Sequence, residues 1–211
     1  MEANKYLNDI TEIKNIMNRS SRFISLSGLS GILAGIYALI GASLAYVRLK
    51  DFSPTNYDGF AGRNSALWDT ALSKDLTLIA LAVLVMAAIT GFVMTLKKSK
   101  KSGEKIWDST SKRLVYNFLI PLVVGGLFCL VLMQHGAAGL VAPATLIFYG
   151  LACVNASKYT MGDVRYMGLA FILIGLISTQ FIGYGLYFWA LGFGVCHILY
   201  GALMYYKYDR D

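Results

Sequence analysis

The chain has 211 residues, of which 56% are apolar and only 15% are Asp, Glu, Lys or Arg, against about 25% charged residues in soluble domains. That is too little charge to cover a water-soluble globule, and a mean hydropathy of +0.56 is equally foreign to a disordered chain or a disulfide-stapled secreted module. The formal charge of +7 therefore reads as membrane topology and attraction to anionic lipid, with no nucleic-acid partner expected.

About 20 consecutive apolar residues cross a bilayer as a helix, and six stretches predict spans: 23–47, 76–96, 114–133, 138–154, 161–179 and 185–205. Of the 31 charged side chains only Asp163 and Arg165 fall inside them, both in the first turns of the fifth. A charge at the hydrocarbon centre costs ~2.5–3.5 kcal/mol, so a lipid-spanning chain requires such a partition. Counting Lys and Arg on alternate sides gives fifteen against four, which predicts cytoplasmic N- and C-termini. The predicted fold class is all-α: a polytopic membrane protein with a six-transmembrane-helix bundle over 23–205, a cytoplasmic amphipathic helix over 1–22 and a cytoplasmic tail over 206–211.

In chain order, Leu7, Ile10, Ile13 and Met17 fall on one helical face of the N-terminal segment, with Asp9, Glu12 and Lys14 opposite. This predicts a helix lying along the membrane interface or folded under the bundle, with a docking surface as the alternative. In span one, Ser27, Gly31, Ala34, Ala38, Gly41 and Ala45 recur at spacings of three and four. Lipid tails are as apolar as Leu, so membrane helices associate by close contact that small residues permit. A helix of the same chain and a helix of a second copy, giving a homo-oligomer, both satisfy this stripe.

The connection 48–75 mixes Phe52, Tyr57, Phe60 and Trp68 with acidic and basic residues, which reads as an interfacial cap or, functionally, as a lid over an outward-facing cavity. Lys97, Lys98, Lys100 and Lys101 form a polybasic strip attracted by ~1 kcal/mol per charge to anionic lipid. In span three, Pro121, Gly125 and Gly126 predict a kink and a close helix contact. Asn117 lies one turn from that break and Asn155 at the end of span four. Both are candidate cavity-lining or buried polar residues, the alternative being that neighbouring helices satisfy the freed backbone. Thr160 and Asp163 have capping-box spacing at the start of span five.

His197 is the one His, Asp, Glu, Lys or Arg side chain deep within a span. Counting ~1.5 Å per residue from Gly185 places it about 18 Å down its helix. An intramembrane ionisable residue is a functional-site candidate, but Ala190, Gly194, His197, Gly201 and Tyr205 form a small-residue packing face. A neutral His bonded across a helix contact and a substrate- or proton-handling His both stay open. His135 lies outside the spans, which argues against a bis-His haem, and Cys129, Cys153 and Cys196 lack any CxxC pairing. No cofactor or metal is expected.

The segments SSRFISLSGLSGILAGIYALIGA, LIFYGLACVNASKYT and GFGVCHILYG resemble a group of uncharacterised six-span bacterial inner-membrane proteins. The resemblance implies a multi-pass bacterial inner-membrane location and no established activity or site. No P-loop, HExxH, GxSxG, Rossmann glycine pattern or intramembrane carboxylate is present. The expected function is therefore non-enzymatic interaction or sensing, with a small-solute transporter or channel having a cavity near His197 as the alternative.

Overall fold

The computed structural model describes residues 27–51, 71–102 and 107–209, with all the main elements helical. The helices are α1 (Gly28–Asp51), α2 (Ala71–Ser102), α3 (Ser109–Gln134), α4 (Val141–Ala156, preceded by the 3-10 turn Ala138–Leu140) and α5 (Asp163–Ser178). The last, α6, starts as α-helix at Gly185–Trp189, widens to a π-helix at Ala190–Cys196, returns to α-helix at His197–Met204 and widens again over Tyr205–Asp209. The amphipathic helix predicted for 1–22 and most of the connection 48–75 lie outside the described residues.

Five helical segments among the described residues are long and apolar enough to cross a membrane: Gly28–Lys50, Ala71–Lys101, Ser109–Gln134, Ala138–Ala156 and Gly185–Tyr208. The stretch predicted as span 161–179 forms the shorter α5, whose 16 residues extend about 24 Å. At its start the expected Thr160–Asp163 capping arrangement gives way to Gly162 as N-cap, with no side-chain cap. The Asp163 carboxylate instead meets Lys207 Nζ at 2.6 Å and Tyr208 Oη at 2.9 Å on α6. The polybasic strip is helical, because α2 runs through it to Ser102.

Local chemistry sets the ends of α3. Asp108 accepts from the Ser111 N–H at 2.7 Å while Ser111 Oγ accepts from the Asp108 N–H at 3.0 Å, a reciprocal capping box. Those hydrogen bonds, the Ser111 backbone N–H foremost, hold the Asp108 carboxyl below its usual pKa. At the other end Ala137 N–H reaches Leu132 O and Gly136 N–H reaches Met133 O. This Schellman turn needs a left-handed residue, and Gly136 supplies φ 72°.

Consecutive helices pack antiparallel as α1/α2, α3/α4 and α4/α5, and α6 closes antiparallel against α1. The α1/α6 contact is backbone on backbone: a Cβ on Gly35 would sit 2.6 Å from Gly194 O, and one on Gly201 2.6 Å from Ile32 N. Gly28 and Gly31 also face α6, so these glycines of α1 pack within the chain. Gly41 turns away to Val83 of α2, Ala38 is buried, and Ser27 and Ala34 are half-buried. On the far side of α4, Gly150 and Gly168 bring α4 and α5 equally close, each blocked by the other's carbonyl. A side chain at Gly201 must therefore separate two backbones, whereas Gly126 faces open space. Gly201→Leu is expected to lower stability by at least the ~1–3 kcal/mol of overpacking and Gly126→Ala to leave it nearly unchanged, both read by thermal denaturation in mild detergent.

Candidate functional site

The π-helical stretch of α6 sets the position of His197. Widening the turn over Ala190–Cys196 shifts the register of side chains that a regular helix would place. Gly192 then faces Leu146 and Phe171 on α4 and α5, while Gly194 faces Leu39 on α1. With a glycine on each side, α6 is thin enough to sit between both neighbours. His197 follows directly and is buried, its imidazole stacked on Phe193 at 5.9 Å with a 15° interplanar angle.

Tyr149 of α4 completes the site. Its hydroxyl lies 2.7 Å from His197 Nε2, and its ring touches Phe118, Phe171 and Phe193 at centroid distances of 5.8, 5.0 and 5.1 Å. Phe171 also packs edge-on to His197 at 5.1 Å. His197 Nδ1 is buried with no hydrogen-bond partner among the described residues. Four helices thus meet at an aromatic cluster holding one polar pair.

Asn117 and Asn155 form a second polar contact away from His197. Pro121 has no N–H to give the Asn117 carbonyl one turn earlier. Asn155 Nδ2 donates to that carbonyl across the α3/α4 interface at 2.9 Å, while the Asn117 side chain donates to Arg113 O at 2.8 Å. Asn155 therefore replaces the bond that proline removes. His197 lines neither the cavity beside Asn155 nor the one between α1, α2, α4 and α6. Among the described residues no three His, Cys, Asp or Glu side chains converge on a metal position, and all three Cys are free thiols.

Sequence reasoning missed Tyr149, Phe171, Gly28, Gly35 and Gly192. Tyr149 carried a usable signal: it lies about 16 Å from Ala138 along its helix, too deep for an interfacial tyrosine, so its hydroxyl needs a buried partner. Gly192 carried none, because its direction depends on the π register.

The class defined by these features is an all-helical bundle with several apolar helices compatible with a membrane protein, built around an internally paired Tyr–His contact. No protein-family model, curated protein or solved structure matches the chain.

Two mutant series separate these roles by SDS-titration stability. Tyr149→Phe leaves His197 Nε2 buried and unpaired and is expected to cost about 1–3 kcal/mol; adding His197→Phe is expected to cost less than the sum of the singles. Asn155→Leu is expected to cost ~0.6–1.7 kcal/mol in the natural background and much less with Pro121→Ala, which restores the backbone donor.

Proposed function

We propose that the chain is a non-enzymatic, six-span protein of a bacterial inner membrane, with both termini cytoplasmic, that acts by interaction or sensing. The observation that supports this best is that two of the polar side chains the sequence singles out are engaged within the chain: His197 on Tyr149, and Asn155 on the carbonyl freed by Pro121. Groups so paired leave little equipment for proton transfer or solute coordination.

The sixth crossing is supported by the placement of α6. Gly185, at its start, lies against Ala142 at the start of α4, while α5 runs antiparallel along α4. In this reading the chain returns through the bilayer between them along α5, with local thinning of the hydrocarbon. The bacterial location follows the segment resemblance, and the termini follow the cation count. Lys97, Lys98, Lys100 and Lys101 anchor the end of α2 on anionic lipid in this reading.

The interaction surface is lateral, toward a second copy or another membrane protein. Helix α2 packs chiefly on α1, and Leu78, Leu81, Val85, Ile89 and Phe92 stay exposed along it. A small-solute transporter is the second reading, favoured by a cavity of about 240 Å³ between α1, α2, α4 and α6, lined in part by Ala42, Ile79, Thr145 and Trp189. Native mass spectrometry from mild detergent is expected to give a discrete homo-oligomer or a stable complex. A lone monomer, together with solute flux in liposomes that filling the cavity by Ala42→Phe abolishes, would overturn the proposal.

A further inference from the structure

A groove of about 490 Å³ runs between α3 and α4 and changes chemistry along its length. Ile120, Val124, Leu151 and Val154 give it an apolar lining, and Asn155 and Lys158 lie at one end. Its walls face outward, since Ile120, Val124 and Leu151 are exposed, so in a bilayer it opens sideways to the acyl chains. The groove follows from features already described: Gly125 lets Phe148 press onto α3, and Asn155 ties the helices together at the Pro121 break.

Lys158 lines the polar end, and a second cation lies near its level on α3. The Asn155–Asn117 bond fixes a common level on the antiparallel pair. Lys158 lies three residues beyond Asn155 in the turn that follows α4, and Arg113 four residues before Asn117, one turn further along α3. Both side chains are exposed, and neither forms an ion pair among the described residues. The described carboxylates toward this end are already engaged: Asp108 caps α3, and Asp163 is held by Lys207 and Tyr208. An apolar slot open to lipid that ends at Lys158, with a second exposed cation, Arg113, one turn beyond Asn117 on α3, matches an acyl chain joined to a negatively charged headgroup.

We propose that this groove binds one acyl chain of an anionic phospholipid, with the lipid phosphate held at Lys158 and Arg113. The site rests on the chain being membrane-embedded, but not on whether it acts by interaction. It is separate from the lysine strip of α2, because it requires the chain as well as the charge.

The test is native mass spectrometry of the full chain in mild detergent, titrated with phosphatidylglycerol or phosphatidylcholine. One phosphatidylglycerol is expected to be retained in preference to phosphatidylcholine. Lys158→Gln and Arg113→Gln are each expected to weaken retention about five-fold, from ~1 kcal/mol per charge near the surface, and Lys158→Arg to preserve it. Leu151→Trp, which fills the groove from an exposed position, is expected to reduce retention with both cations intact. Equal retention of the two lipids, indifference to both charge variants, or displacement by inorganic phosphate would overturn the proposal. The charge variants alter exposed side chains, so the result does not hang on how Leu151→Trp folds. The same spectra report subunit number: lost lipid preference with the oligomer intact tells against the groove alone, and lost oligomer with the lipid retained tells against the interaction reading alone.

Discussion

The rest of the bundle depends on backbone meeting backbone between α1 and α6. In water, burial of apolar surface would draw these helices together, but between lipid tails that gain nearly vanishes and close van der Waals contact must replace it. Gly28, Gly31 and Gly35 on one side and Gly201 on the other remove the Cβ atoms that would hold the helices apart. The same solution recurs at Gly150 and Gly168 between α4 and α5. Helix α6 joins the two contacts, because Gly194 faces α1 while Gly192 faces the α4/α5 pair. Its π-helical stretch makes that two-sided arrangement compatible with His197 pointing into the core.

The second constraint is that polar atoms in hydrocarbon must find partners inside the protein. Pro121 creates such a debt at the Asn117 carbonyl, and Asn155 settles it. Tyr149 and His197 answer one another in the aromatic cluster. Asp163, at the start of α5, takes Lys207 and Tyr208 from the end of α6 and so ties two helix ends together. Several residues that a sequence singles out as chemically unusual are here engaged with partners of the same chain, and His197 lines neither cavity.

Much of the architecture was legible because hydrocarbon is an unforgiving solvent. The apolar runs, the confinement of charge to their ends and the small residues at spacings of three and four all announce apolar helices in close contact. The choice of faces was less legible. The stripe expected at Ser27, Gly31 and Ala34 is displaced toward Gly28, Gly31 and Gly35, and Gly41 serves α2 instead. A run so rich in small residues offers several adjacent faces, and only the partner's shape selects among them. Likewise Asp163 had a plausible local task as a cap, but a lysine 44 positions away holds it.

The sequence by itself determined that the chain is helical and apolar, where its charges stop and which few polar residues enter its interior, since each follows from transfer free energies and helical periodicity along one segment. The tertiary structure decided which groups those interior residues meet. Whether His197 handles a proton or satisfies a tyrosine, whether Asn155 lines a passage or repairs a proline, and whether α1's glycines meet this chain or another depend on atoms brought together from distant helices. That information resides in packing between segments, where a π-turn or a single missing Cβ redirects a side chain without altering any local pattern.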